Sequence, residues 1–393
     1  MRLRVRVGAA LACAALAGLA VTGCTASSQP AAAISPAASA SSAAGGPASR
    51  LTVGAGGAAP RDFVAVSYTG GPKNNDIWVQ LGDAATGAIT GKLVPGLYDG
   101  MHADGAAVGR DGTVWVTYSK GPAVTQMGFG PAFSKPATCG NEVVKWNLQA
   151  ATPHATVYQR SGDNVLLGQA VPSPDGQLVA YTEQPCELTS RGVYLRVTAI
   201  SSGKNWTIGQ GLLGCHILTT PAWSADGTQL LEGYAAANQP YGTDVSEFCT
   251  GPGTERLLRL AATTAQPGVS GQVTSPDGNC QVESVAALAG GGALALQSCG
   301  RSPDYARDFA ALLVVAAGGQ HRQTISLGGC SAAGQLAGDS SGGSVLVTAT
   351  VDCTPTAARP PRITDDLWDY SGGRLRLVAA APATDRAPTQ VAW

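Results

Sequence analysis

The sequence predicts an all-β fold, a six-bladed β-propeller closed by its C-terminal strand, and three observations support this prediction. Pairs of apolar strands joined by Asp-Gly or Gly-Gly turns recur along the chain. Gly and Pro are abundant, with 52 and 24 copies among 393 residues, and both residue types are typical of tight turns between short strands. After residue 50, no helix-length stretch repeats its apolar residues every 3.6 positions.

The N-terminal residues 1–23 have the features of a secretory signal. Three arginines precede an uncharged apolar run of about 15 residues, which is shorter than the roughly 20 residues of a membrane-spanning helix. The run ends at Val21-Thr22-Gly23-Cys24, which resembles the lipobox of bacterial lipoproteins. The resemblance implies cleavage before Cys24, lipidation of Cys24 with palmitate among its acyl chains, and anchoring at the extracytoplasmic face of the cell membrane. The alternative is an ordinary signal peptide that ends near a cysteine.

Residues 24–50 are predicted to form a flexible tether that begins at the lipidated Cys24. This segment consists almost entirely of Ala, Ser, Gly and Pro, and such a composition cannot bury a hydrophobic core. The folded domain is therefore predicted to comprise residues 51–393.

The charge balance argues against nucleic-acid binding. The chain has 25 Lys and Arg against 26 Asp and Glu, and only 13% of its residues are charged. Affinity for nucleic acids depends on clustered cations that neutralise phosphates, and this sequence contains no such cluster. We predict no nucleic-acid partner, no cofactor, and a monomer that contacts the membrane through the lipid on Cys24.

Five segments contain the apolar hairpin, and a second strand pair follows each of them. A unit of four strands is one propeller blade, and the turns recur at intervals of about 50 to 65 residues, near the roughly 40 to 50 of known propeller repeats. The fifth segment, 284–296, keeps the glycines and has no aspartate. The other four segments are 106–118, 170–181, 221–231 and the looser 336–347.

The two ends of the domain predict a sixth blade. Segments 63–68 and 77–81 have the pattern of a second and a third strand without a first, and segment 389–393 has the pattern of a first strand alone. Pairing between them would complete the blade and remove exposed sheet edges. The alternatives are a seven-bladed propeller and a pair of β-sandwiches.

The turn motifs carry a second family resemblance. Ser-Pro-Asp-Gly at 173–176 and Ser-Ala-Asp-Gly at 224–227 resemble the repeats of TolB-like, WD40-like propellers. Another Ser-Pro-Asp-Gly, at 275–278, falls just before a predicted first strand, so the blade boundaries within 260–300 stay open.

Eight cysteines remain after the leader cysteine and Cys24 are set aside, and an even count in an oxidising compartment predicts four disulfides. The absence of Cys-x-x-Cys spacing disfavours a thiol metal site, and no metal is predicted. In the predicted register, a cysteine before the first strand of a blade lies near a cysteine after the second strand of the same blade. This pairs Cys215 with Cys249, Cys280 with Cys299, and Cys330 with Cys353. Cys139 and Cys186 remain, and they lie in corresponding loops of adjacent blades, where they can meet across the blade boundary.

Candidate binding residues lie at the channel mouth and in the loops on the predicted disulfide face. His102 and His216 each precede a first strand near the mouth of the central channel, and Asp104 flanks the first histidine, so the three could act as ligands or acid/base groups in the channel. The alternative for the two histidines is that they form hydrogen bonds with loop backbone groups. The alternative for the aromatic loop residues named below is that they pack within their own loops. Long loops with aromatic residues on a rigid scaffold are common binding surfaces. The loop candidates are Phe129, Phe133, Tyr241, Phe248 and Tyr305.

No catalytic residue is assigned. Gly338-Asp339-Ser340-Ser341-Gly342 matches Gly-x-Ser-x-Gly, but a nucleophile elbow needs a strand before it and a helix after it, and here both flanks read as strands. We therefore expect a hairpin turn. The expected function is binding of a protein or a cell-envelope glycan by a membrane-anchored propeller, and the alternative is a hydrolase or lyase acting on a saccharide or peptide.

Overall fold

The strands of this protein pair into antiparallel sheets whose order follows the chain. The computed structural model describes residues 62–69, 76–119, 140–148, 154–160, 165–185, 194–208, 217–218, 220–236, 254–261, 268–274, 280–300, 307–327, 331–353, 362–382 and 388–393. Within these ranges the strands form six sheets of four or five strands each, which we label I to VI.

Sheets I to III contain the following strands. Sheet I contains β1 (Asp62–Thr69), β2 (Asp76–Asp83), β3 (Ile89–Pro95) and, beside β1, the last strand β27 (Pro388–Ala392). Sheet II contains β4 (Leu97–Tyr98), β5 (Met101–Val108), β6 (Val114–Ser119), β7 (Asn141–Asn147) and β8 (His154–Arg160). Sheet III contains β9 (Val165–Leu167), β10 (Val171–Pro172), β11 (Leu178–Pro185), β12 (Tyr194–Ala199) and β13 (Asn205–Ile208).

Sheets IV to VI continue the same pattern. Sheet IV contains β14 (Ile217–Leu218), β15 (Ala222–Trp223), β16 (Gln229–Ala236), β17 (Thr254–Ala261) and β18 (Gly268–Thr274). Sheet V contains β19 (Cys280–Leu288), β20 (Gly292–Gly300), β21 (Arg307–Val315) and β22 (His321–Ser326). Sheet VI contains β23 (Ser331–Gly338), β24 (Ser344–Cys353), β25 (Arg362–Ser371) and β26 (Arg374–Pro382).

This succession of four-stranded antiparallel units is a β-propeller, and the predicted all-β propeller class is confirmed. The hairpins predicted at the Asp-Gly and Gly-Gly turns are present, with a strand on each side of every turn. Among the described residues, no helix is both long and apolar enough to span a bilayer.

The hydrophobic core lies between the sheets. The described residues form six apolar clusters, each shared by two sheets: I with II, II with III, III with IV, IV with V, V with VI, and VI with I. In the last of these, Phe63 and Val391 of sheet I pack with Leu346 of sheet VI, and all three are at most 3% exposed. Each sheet therefore buries both of its faces, which explains why the strands contain long apolar runs.

The Asp-Gly turns use the glycine and the aspartate in different ways. Only the glycine has a positive φ, at 68° for Gly176 and 69° for Gly227. The aspartate acts through its side chain: the Ser173 hydroxyl donates to Asp175 Oδ1 at 2.5 Å, and the Leu178 amide donates to Ser173 Oγ at 2.9 Å. The motif is therefore a hydrogen-bonded turn of more than two residues that needs both Ser and Asp.

The outer strands β3 and β18 and the short strands β4, β9 and β14 were not anticipated from the sequence. The outer strand β3 has an exposed pattern with little apolar alternation, and β18 contains two glycines that weaken its strand signal. Outer strands are the least buried in a blade, so their sequences need not alternate between apolar and polar residues.

The backbone register of two cysteine pairs agrees with the predicted disulfides, which stay predictions. Cys280 and Cys299 are directly opposite each other on β19 and β20. Ser331, the residue after Cys330, is opposite Asp352, the residue before Cys353. The side chains of the eight domain cysteines lie outside the described part of the structure. For five of them the backbone does too: Cys139, Cys186, Cys215, Cys249 and Cys330.

Candidate functional site

One pocket is lined by an inner strand of every sheet, namely β27, β5, β10, β15, β19 and β23. It lies at the end of the central channel where the Asp-Gly and Gly-Gly hairpin turns are located, which we call the hairpin end. The cavity volume of the pocket is about 130 Å³. Five of these strands end at this level before a hairpin turn, and β27 ends there at Ala392. The apolar wall includes one residue from each sheet: Val108, Val171, Trp223, Val285, Leu336 and Val391.

The pocket wall is rigid where sheets III and IV meet. The Trp223 indole N–H donates to the Val171 carbonyl at 2.9 Å and so links the two sheets. The adjacent Ser224 hydroxyl donates to Asp226 Oδ1 at 2.6 Å, and this bond is the largest cause of the lowered pKa of Asp226. The serine and aspartate side chains of the turn motifs therefore form hydrogen bonds with each other, and these bonds fix the conformation of the rim.

The rim of the pocket is polar and mixed in charge. Arg110 and Ser340 are exposed and line the pocket, whereas Asp339 is 7% exposed. Asp339 Oδ1 accepts bonds from the Ser341 amide at 3.1 Å and the Gly343 amide at 2.9 Å. The carboxylate of Asp339 is therefore stabilised by its own turn, and Arg110 contributes a positive charge to the rim.

Ser340 lies in a hairpin turn. Strand β23 precedes the turn and strand β24 follows it, so the segment lacks the strand-to-helix turn of a nucleophile elbow. This geometry agrees with the turn that the sequence predicted.

His102 and Asp104 lie on β5 at the opposite end from the pocket. Asp104 is the extra residue of a β-bulge, because Ala103 pairs with Tyr118 and Gly105 pairs with Thr117. Burial raises the pKa of Asp104 to about 7, and Asp104 Oδ1 makes no hydrogen bond. His102 Nδ1 is likewise buried without a hydrogen-bond partner. The structure thus places both predicted residues on one inner strand, each with a buried polar atom that is unsatisfied.

Glu232 was missed in the sequence analysis. It lies on β16, is 2% exposed, and its Oε1 atom has no hydrogen-bond partner. Burial raises its pKa well above the ordinary value of 4.5. The signal available in the sequence was a single acidic residue after two leucines in a predicted strand, Leu230-Leu231-Glu232.

The remaining predicted site residues fall outside the described part of the chain. Within the described ranges, no group of three His, Cys, Asp or Glu side chains could hold a metal ion. The residues that lie outside these ranges are Cys24, His216, Phe129, Phe133, Tyr241, Phe248 and Tyr305.

Comparison with known proteins agrees with the propeller class and goes no further. No family model matches the chain, and no curated protein is similar to it in sequence. Similar solved structures include the β-propeller domain of the Trilobed protease from Pyrococcus furiosus, with a TM-score of 0.40, 11% identity, and 71% of each chain covered.

Two enzymes with larger chains are also similar in structure. A puromycin-hydrolysing peptidase of Mycobacterium tuberculosis has a TM-score of 0.48 and 16% identity over 83% of this chain and 46% of that chain. An oligogalacturonate lyase in complex with manganese has a TM-score of 0.40 and 14% identity over 63% of this chain and 62% of that chain. The chain therefore spans less than two thirds of either enzyme.

Proposed function

We propose that this protein is a membrane-anchored, extracytoplasmic propeller that binds a ligand of the cell envelope in the pocket at the hairpin end of its channel. The observation that carries the proposal is the convergence of all six inner strands on that pocket. An apolar wall with a few polar groups at its rim is the usual composition of a ligand site. The bonded turns around it keep this surface preorganised, which lowers the entropic cost of binding.

The architecture that supports this function is a single ring of six blades closed by β27. The pairing of Ala65 with Val391 supports closure, as does the core cluster shared by sheets VI and I. Four disulfides on the opposite face would restrain the loops there, and the register of Cys280 with Cys299 supports one of them. The lipobox-like leader, the tether and the turn motifs support a lipoprotein of the TolB-like type.

The pocket is tested by filling it. Ser340→Trp places a large side chain at an exposed rim position without disturbing the core, so the variant should fold and lose its ligand. We expect native mass spectrometry of protein purified from membranes to detect a bound small molecule in the wild type and none in this variant. Ser202→Trp, at an exposed turn outside the pocket, is the matched control and should retain the ligand. Equal ligand in all three proteins would contradict the proposed site.

The anchor is tested at Cys24. Cys24→Ser removes the thiol that would carry the lipid, and the resemblance to lipoproteins implies that the leader is cleaved only after this lipidation. We expect the wild type to be labelled by palmitate and to lack residues 1–23 by mass spectrometry, and the variant to be unlabelled and to retain its leader. Palmitate labelling of the variant would show that Cys24 is not the lipidated residue.

A further inference from the structure

We propose that the ligand of the pocket at the hairpin end is a small organic anion, a carboxylate attached to a compact apolar group of about six carbon atoms. This inference rests on the proposed function and adds the chemical class of the ligand to it. Two features of the same pocket carry it: an apolar cavity of limited volume, and the Arg110 guanidinium at its rim.

The size of the cavity limits the apolar part of the ligand. The cavity volume is about 130 Å³, and an apolar cavity of about 150 Å³ holds one benzene molecule. Val171, Val285 and Leu336 line the cavity from three different sheets. An apolar group of about six carbon atoms would therefore fill it, and the remainder of a ligand would lie at the rim.

A fixed aromatic side chain also lines the cavity. Trp223 is 8% exposed, and its indole N–H donates to the Val171 carbonyl at 2.9 Å. Because this bond uses the single donor of the indole, the ring offers a ligand apolar and π contacts alone. Aromatic rings pair favourably in offset or edge-to-face arrangements. A planar ring is therefore an apolar group that suits this cavity.

Arg110 is the cation that lines the pocket. It is exposed in the turn between β5 and β6, and within the described ranges its side chain forms no ion pair and no hydrogen bond. A guanidinium presents five N–H donors in a planar arrangement that matches the two oxygens of a carboxylate. An anion whose apolar part enters the cavity would thus meet a partner at the rim.

The aspartates of the hairpin turns already have hydrogen-bond partners. The donors to Oδ1 of Asp111, Asp175, Asp226 and Asp339 are the amides of Thr113, Gln177, Thr228 and Gly343, respectively, at 2.9 to 3.1 Å. Asp111 also forms an ion pair with Lys145 at 3.2 Å. Of these four aspartates, Asp339 alone lines the pocket, and it is 7% exposed. Because these carboxylates are bonded within their own turns, Arg110 is the charged group with donors left for a ligand.

The test uses benzoate, which is ionised at neutral pH, with the full folded chain. A compound of this size typically reaches a dissociation constant of about 10 mM or tighter, and we expect an NMR titration to give such a value. Benzamide has the same size without the charge and should bind about fivefold more weakly or worse. Benzylamine, protonated at neutral pH, should bind more weakly still, because its charge is repelled by Arg110.

Three variants locate the binding. Arg110→Gln removes the charge at an exposed position, so it should fold, weaken benzoate binding by about fivefold or more, and leave benzamide binding nearly unchanged. Arg322→Gln makes the same change at an exposed position of β22 outside the pocket, and this matched control should bind benzoate as the wild type does. Ser340→Trp, which fills the rim, should lose benzoate binding.

Equal binding of benzoate and benzamide, or equal binding of benzoate by the wild type and Arg110→Gln, would overturn the inference. So would a wild type that does not bind benzoate, or a Ser340→Trp variant that still does. None of these results decides the proposed function, which depends on the ligand recovered from membranes. A neutral or cationic molecule recovered with the wild type and absent from Ser340→Trp would reject the anion and leave the pocket as the ligand site. Circular dichroism shows whether each variant is folded.

Discussion

Val391→Asp is expected to unfold the domain at room temperature or to leave it barely stable. Val391 lies on β27, is 3% exposed, and packs with Phe63 and Leu346 in the cluster shared by sheets VI and I. Aspartate at this position would be a buried charge without a partner, and such a change costs about 3 to 5 kcal/mol in addition to the lost packing of valine. Typical domains have only about 5 to 15 kcal/mol of stability in total.

Urea denaturation followed by circular dichroism measures this effect. Gln323→Asp introduces the same charge at an exposed position of β22, opposite the uncharged Val314, and is the control, with an expected change within about 0.5 kcal/mol. A midpoint for Val391→Asp close to that of Gln323→Asp would show that β27 contributes little to the domain and would argue against a closing role for this strand.

Glu232→Gln is expected to become more stable relative to the wild type as the pH rises above about 4.5. Burial raises the pKa of Glu232 in the folded state well above its ordinary 4.5. Below that value both states are protonated, and Glu232 contributes no pH dependence. Above it, the unfolded state ionises while the folded state stays protonated, so the wild type loses stability as the pH rises. Glutamine cannot ionise and avoids this loss.

The size of the effect is set by the pH interval. The difference in the free energy of unfolding should grow by about 1.4 kcal/mol for each pH unit until the folded pKa is reached. Thermal or urea unfolding of both proteins between pH 4 and pH 8 measures the slope, which is independent of any constant penalty for the glutamine amide. A difference that stays constant over this range would show that Glu232 is ionised in the folded protein.

Asp226→Asn is a control with the opposite sign. The Ser224 hydroxyl and the Thr228 amide hold the pKa of Asp226 below its ordinary value of 3.8. Asp226 therefore stabilises the wild type above pH 3.8, and this contribution disappears as the pH falls through the lowered folded pKa. Its variant should differ from the wild type most at neutral pH and least in acid.

Much of the fold could be predicted because its signals are local. The Ser-x-Asp-Gly turns place their own hydrogen-bond donors and acceptors within five residues, as Ser173, Asp175 and Leu178 do. The turns at 173–176 and 224–227 therefore identify hairpins from sequence alone, and the repetition of such hairpins predicts the propeller class. The outer strand β3 was missed because it buries little, and β18 because it contains two glycines.

The candidate site was predictable only in part. The sequence singled out His102 because it and His216 have equivalent positions before a first strand, and Asp104 because it flanks His102. The β-bulge that sets Asp104 apart depends on the pairing of β5 with β6 and is visible only in the structure.

By itself, the sequence determined the all-β class, the hairpin turns and the predicted division into leader, tether and domain, since these depend on composition and on residues close together in the chain. Only the tertiary structure decided that Glu232 is buried and that six inner strands, far apart in sequence, line one pocket. Burial and convergence depend on which sheets pack together, and that information is distributed over contacts between distant residues.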